Sequence, residues 1–149
     1  MNLASCLTRD PIRIFDYFVG PLNCSAGASV LFLGTVRDLS EGRGVLYLEY
    51  EAYEAMAERI IAELIKSAFE QWSVEEIKLL HRLGRVEPGE ISIAIVVLSV
   101  HRDEAYQASR YLIEGIKHKV PIWKKEYFTD GTSEWSLCQE NDANLPRSV

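Results

Sequence analysis

From Lys117 to Glu126 the chain reads Lys-His-Lys-Val-Pro-Ile-Trp-Lys-Lys-Glu, four lysines and one histidine in ten positions. The chain as a whole is acidic, with a formal net charge of −6. Pro121 has no backbone N–H, so a helix arriving from the left must stop before it. The following Ile-Trp-Lys-Lys-Glu-Tyr-Phe has the branched and aromatic content of a strand. Lys117 is thereby placed on a last helical turn and Lys124 on an extended segment, able to turn toward each other across the bend. Lysines at a helix C-terminus also offset its negative end and reach into water without further role. The Ile122-Trp123 pair between the basic groups favours a fixed site, because large apolar side chains anchor the bend.

Other cations fall at element boundaries. Arg37 lies where a strand meets a loop, from which a side chain can reach a ligand while its backbone stays fixed. His101-Arg102 stands at a strand's end before a helix, where unpaired N–H groups favour an anion; a histidine merely capping local backbone is the competing reading. His81-Arg82 is read as structural, and too far from His101 to share its site within one subunit. Glu49 and Glu51 on a strand are poor candidates for a paired acid and base. No GxSxG, Walker, GxGxxG or HExxH pattern occurs. The histidines and cysteines are too scattered to suggest a metal site, and no cofactor is expected. What remains is Arg37, His101, Arg102, Lys117 and Lys124, a set suited to an anionic small molecule and to proton transfer by lysine.

The elements that must position these residues follow from periodicity. Ala28 to Arg37 reads as a buried strand, Asp38 to Gly44 as a flexible polar loop, and Val45 to Tyr53 as a strand forming a hairpin with the first. Ile12, Ile14, Phe15 and Phe18 suggest a short amphipathic helix stopped by Gly20-Pro21. Residues 54–72 form an amphipathic helix on a stripe of Met56, Ile60, Leu64, Ala68 and Trp72, broadened by Ile61, Ile65 and Phe69. Glu75 to Arg82 and Glu90 to Val100 are paired strands, the second nearly all apolar and so central in its sheet. A helix follows from about Asp103 to Lys117. Thr129-Asp-Gly-Thr is a turn signal after which Glu134-Trp-Ser-Leu pairs back.

Length and an apolar share of 48% fit a single domain over residues 1–149, with a frayed tail from about 139. Three cysteines without a CxxC pair fit a reducing cytoplasm. The acidic balance argues against nucleic-acid binding. The absence of a long apolar run argues against a membrane span, and no signal-type segment is read at the N-terminus.

Taken in order, Phe32-Leu-Gly-Thr-Val-Arg37, Leu48-Glu-Tyr-Glu-Ala-Tyr53, His81-Arg-Leu-Gly84 with Gly89-Glu90, His101-Arg102, Lys117 with Pro121-Ile-Trp-Lys-Lys-Glu126, and Asp130-Gly131 with Trp135 resemble the catalytic (large) subunit of molybdopterin synthase, the MoaE family. The resemblance runs from about Gly27 to Trp135. It implies an α+β chain, an α/β hammerhead with an additional small antiparallel β-sheet, and a homodimer at the centre of a heterotetramer. Each large subunit would bind a small ubiquitin-like sulfur-carrier subunit whose Gly-Gly C-terminus, as a thiocarboxylate, enters the pocket. Sulfur would pass twice to cyclic pyranopterin monophosphate (precursor Z), giving the dithiolene of molybdopterin. The implied site residues are Arg37, His101, Arg102, Lys117 and Lys124, with Thr35, Val36, Lys125 and Glu126 lining the same region, and Lys117 and Lys124 in the catalytic roles. The family can place an arginine a few residues after the final tryptophan; here Ser136 to Glu140 carries no basic residue. Two other classes stay open: a non-catalytic adaptor for a ubiquitin-like partner, and a lysine-dependent enzyme on another phosphorylated metabolite.

Overall fold

The strand Ile91–Ser99 is the axis of packing, because its side chains from Ser92 onward are buried on both faces. The structure is a computed structural model describing residues 5–17 and 22–137. The Gly20-Pro21 stop, Phe18 and the tail from 139 lie outside the described residues. In chain order the strands are β1 (Leu7–Thr8), β2 (Ala28–Thr35), β3 (Leu39–Ser40), β4 (Arg43–Ala52), β5 (Val74–Arg82), β6 (Gly84–Val86), β7 (Ile91–Ser99), β8 (Ile122–Phe128) and β9 (Ser133–Leu137). The helices are α1 (Glu54–Gln71) and α2 (Arg102–Lys119).

Two sheets share the work, in the α+β arrangement with an additional antiparallel sheet that the resemblance implies. The first has the order β1-β5-β7-β2. Its β7 lies between β5 and β2, the central place that its apolar run predicts, and both pairings are antiparallel. The second sheet runs β3-β4-β8-β9, with β6 also pairing with β4. Helices α1 and α2 cover the face of the first sheet that presents Ile93, Ile95 and Val97.

Helix α1 buries Ala57, Ile61, Leu64, Ile65 and Ala68. Met56 and Phe69, expected on the stripe, are exposed. The buried face is thus rotated about one position, which puts the small Ala57 and Ala68 against neighbours and lets the helix approach closely. Contact with α2 is equally tight: a Cβ on Gly115 would stand 2.6 Å from Leu64 Cδ2, nearer than carbon atoms pack.

The expected hairpin of residues 28–37 with 45–53 does not form. Strand β2 pairs with β7 through Phe32↔Ile95, and β4 pairs with β8 in the other sheet. The apolar β2 finds its best partner in the apolar β7, and a register shift at Gly34/Thr35 marks where the chain leaves that sheet. Residues 38–44 are likewise no loose loop. Leu39↔Gly44 and Ser40↔Arg43 pair across a two-residue turn of Glu41 (φ 51°) and Gly42 (φ 79°). Two positive φ values fit the turn type whose twist matches a hairpin. Among the described residues the expected helix near Ile12 is only a 3-10 turn, Ile14–Tyr17; Ile12 is buried but Phe15 is 88% exposed, so the two share no apolar face. Strands β1 and β6 had no clear sequence pattern.

His81 and Arg82 close β5, both buried. Glu90 Oε2 accepts from Arg82 at 3.0 Å and from the Glu87 N–H at 2.8 Å, tying the β5–β7 connection to one buried guanidinium. The His81 N–H donates to the Cys6 carbonyl of the flanking segment at 2.8 Å. Its Nδ1 lies 2.9 Å from the Arg82 carbonyl, which can only accept, so Nδ1 carries the proton. Burial pushes the imidazole pKa down from 6.5 to about 4, a shift the Arg82 hydrogen bond only partly opposes. Between those values the unfolded chain binds the extra proton. His81 therefore contributes stability in full above pH 6.5 and loses it as pH falls toward 4. Replacing it with Phe removes that term. In urea unfolding, the difference between wild type and His81→Phe is expected to shift by about 2 kcal/mol against wild type from pH 7 to pH 5. A pH-independent difference would show that the imidazole is not held neutral.

Candidate active site

The bend at Pro121 is built as its chemistry requires. Val120, the residue before proline, is extended at φ −83° and ψ 130°, and its N–H still closes the last turn of α2 on Ile116. The Pro121 carbonyl accepts from Tyr53 N–H at 3.1 Å, fixing the bend to the start of α1. Along β8 the side chains then alternate. Ile122, Lys124 and Glu126 face inward and line a cavity of about 830 Å³. On the other face the Trp123 indole donates to Glu51, and the Tyr127 hydroxyl to Glu49, each at 3.3 Å. Only Ile122 of the Ile-Trp pair is therefore an inner anchor, and Glu49 and Glu51 stand away from the cavity.

Three elements bring cations to one space. Lys117 enters from the last turn of α2, Lys124 from β8, and Arg37 from just beyond β2, with Thr35, Val36 and Glu126 in the same wall. The backbone beside Arg37 is pinned, since Val36 donates to Glu90 O at 3.1 Å and accepts from Gly89 N at 2.8 Å. Lys124 Nζ lies 3.6 Å from Glu126, their side chains only 25% and 14% exposed. Charges this shielded are screened less by salt than surface pairs. The β3–β4 hairpin adds Leu39, Ser40 and Glu41. It is clasped from behind by Arg43, which bonds Glu134 at 2.7 Å and stacks 3.6 Å over Phe128.

Three of the expected residues are not brought to this cavity. Lys125 is on the outer face of β8, its Nζ 5.1 Å from the Tyr127 ring centre and 5.4 Å from that of Trp135. Strand alternation places it there, since both neighbours face inward. His101 and Arg102 are exposed and head α2, whose 18 residues span ~27 Å at 1.5 Å per residue. Lys117 is at the opposite end of that helix, so His101-Arg102 and the cavity cannot grip one small ligand within one copy.

Tyr50, His81 and Ser92 also line the cavity and were not expected there. Tyr50 could have been found from strand period, as it shares the inward face with Leu48 and pairs across to Lys124. His81 and Ser92 gave no such signal, because their placement depends on how the two sheets meet. Ser136, opposite Lys124 on β9, also lines the wall, and its buried Oγ has no hydrogen-bond partner.

The arrangement suits a small anionic molecule. Its volume is in the range of small-ligand sites, and its fixed donors act in a partly enclosed space. Among the described residues no group of three or more His, Cys, Asp or Glu side chains could hold a metal ion.

Comparison with known proteins agrees in sequence and in fold. The family model described as MoaE protein matches residues 7–119. The molybdopterin synthase catalytic subunit of Halalkalibacterium halodurans is 44% identical over 119 residues, covering 80% of this chain and 74% of that protein. The Staphylococcus aureus protein of the same name is 41% identical over 136 residues, 91% of each chain. The crystal structure of molybdopterin synthase from Staphylococcus aureus superposes with a TM-score of 0.80 at 40% identity, covering 87% of this chain and 94% of that one. A complex of subunits 1 and 2 of the molybdopterin-converting factor from Helicobacter pylori matches with a TM-score of 0.63 at 27% identity, covering 78% of this chain and 75% of that one. With its two sheets, its two helices and most of its length matched in this way, the chain belongs to the MoaE family.

Proposed function

We infer that this chain is the catalytic subunit of a molybdopterin synthase. It transfers sulfur from the C-terminal thiocarboxylate of a small ubiquitin-like carrier subunit to precursor Z. The observation that carries the reading is the convergence of Arg37, Lys117 and Lys124 on one cavity, in a chain of this family. Residues 1–149 act as one large-subunit domain, in the cytoplasm, as a homodimer within a heterotetramer. No helix of the described residues is long and apolar enough to cross a membrane.

Chemistry follows from the residue types. The sulfur arrives on the carrier, so this chain needs no nucleophilic cysteine. Of its described cysteines, Cys6 is buried with its thiol pushed up to about 11 by that burial and by nearby Glu58, a poor thiolate at neutral pH. Substrate phosphate and carrier thiocarboxylate are both anionic, and fixed cations are what bring them together. Lys117 meets the incoming C-terminus and serves as acid or base. Lys124 and Arg37 hold anionic oxygens. The phosphate is gripped by His101-Arg102 of a second copy, which brings the far end of its α2 to this cavity.

Three outcomes test this. With precursor Z and inorganic sulfide at physiological levels but no carrier, the isolated chain should form no molybdopterin; robust turnover would remove the carrier from the reaction.

Mixing a His101→Ala, Arg102→Ala chain with a Lys117→Ala chain should restore activity, because one pocket of each mixed dimer is intact. No recovery in dimers demonstrably mixed would sink the composite pocket.

Lys117→Ala should cost on the order of 10²-fold or more in rate. The fold should stay within ~0.5 kcal/mol and carrier binding near normal, since the side chain lies outside the core. Lys117→Arg is the sharper assay, because arginine keeps the charge but does not release a proton near neutral pH. If lysine is the acid or base, the arginine variant is nearly as slow as alanine. Near-normal turnover of the alanine variant would return Lys117 to a helix-end lysine.

A further inference from the structure

The roles above leave His81 unused, although it lines the cavity. Its surroundings fix it unusually well for a side chain with no assigned task. The backbone is held by the Cys6 carbonyl on one side and by the β5–β7 register His81↔Ile93 on the other. The ring stands edge-on to Tyr50, centres 5.2 Å apart at 73°, and Tyr50 lines the cavity as well. Nδ1–H is committed to the Arg82 carbonyl at 2.9 Å. Nε2 is then the ring nitrogen that carries the lone pair and can accept a hydrogen bond.

The rest of the cavity explains what such an atom is for. Arg37, Lys117 and Lys124 can only donate hydrogen bonds when charged. They serve anionic oxygens and cannot accept from the N–H groups of a pterin-type ring. Glu126 is ion-paired with Lys124 at 3.6 Å and the Ser92 hydroxyl donates to the Gly34 carbonyl at 3.1 Å; both keep lone pairs, and His81 adds a neutral acceptor whose direction its own ring hydrogen bond fixes. On the reading that the ligand is a reduced pterin carrying ring N–H groups, we propose that His81 Nε2 is an acceptor that receives one of them and sets the ring's orientation in the cavity. His81 is thus a substrate-positioning residue. It cannot exchange roles with the cations: it becomes a donor at Nε2 only by giving up the Arg82 bond or by taking a charge into a buried site. Its neutrality near pH 7 agrees with this, burial pushing the pKa down to about 4. A site built around a fixed acceptor discriminates strongly against a ligand lacking the matching donor.

The experiment compares wild type, His81→Phe and His81→Gln in the assembled complex with thiocarboxylated carrier and precursor Z. Phe keeps the edge contact to Tyr50 but has no acceptor, whereas the Gln side-chain oxygen can reach the position of Nε2. The expected result is a rise in KM for precursor Z of about tenfold or more for Phe, with carrier affinity unchanged and substantial recovery in Gln; a single lost hydrogen bond of 1.4 kcal/mol corresponds to tenfold. In parallel, ¹⁵N-histidine spectra of the wild-type complex should show the Nε2 resonance moving when precursor Z is added, and staying in place with inorganic phosphate alone. A wild-type KM in a folded His81→Phe complex overturns the proposal. So does an Nε2 resonance indifferent to saturating precursor Z, a measurement that needs no variant to fold. If the wild-type complex makes no molybdopterin at all, it is the sulfur-transfer reading that fails, and that failure is seen before any variant is compared.

Discussion

A proline cannot donate to a helical ladder, and at position 121 that single missing N–H organises the whole cavity. Helix α2 has to end just before it, which puts Lys117 on the final turn. The chain has to continue extended, which starts β8 after only Val120 and Pro121 and makes its side chains alternate. Alternation then selects Ile122, Lys124 and Glu126 for the interior and sends Trp123 and Lys125 to the other face. The bend is not a free hinge, because the Pro121 carbonyl is held by Tyr53 at the head of α1 and Ile122 is buried. A local covalent fact thus sets the separation of two ammonium groups on elements of different kind.

How legible this was depends on the range of the forces involved. The helices, the central place of β7 and the bend were readable because each rests on local pattern: 3.6-residue spacing, an apolar run, a proline. The pairing of β2 was not. Both β4 and β7 are acceptable partners by composition, and the choice is made by how well whole strands register, which no short window reports. The same limit hid Tyr50, His81 and Ser92 in the cavity wall. Residues 38–44 failed for a different reason. Polar composition suggested looseness, but Glu41-Gly42 accepts the two positive φ values of a tight turn, and seven polar-looking residues became a hairpin. Lys125 was misplaced by counting charges in a motif without applying the period of two that the same motif implied.

Helix α2 joins two basic groups and also keeps them apart. His101 and Arg102 at its head and Lys117 at its tail sit on one rigid body ~27 Å long. A rigid element cannot fold back to bring its ends together, so these groups either serve two ligands or meet only when copies assemble. The tight contact at Gly115 bears on this. By seating α2 directly on Leu64 of α1, it fixes the direction in which the head of α2 projects from the fold. Two copies related by symmetry would then present their basic heads at a position set by packing within each copy.

Cations alone do not make a selective site. A cavity holding Arg37, Lys117 and Lys124 attracts any small anion, and phosphate is common in every cell. Selectivity has to come from groups that a simple anion cannot satisfy. Here the wall also carries a carboxylate in Glu126, a neutral imidazole in His81 and the ring of Tyr50, all from strands whose backbones are hydrogen-bonded on both sides. Building them on strands rather than on a loop means they do not rearrange to suit a smaller ligand. The desolvation of those polar groups is offset only by a ligand whose own groups meet them, whatever its negative charge. The cations supply attraction, and the neutral and acidic groups between them decide what is allowed to stay.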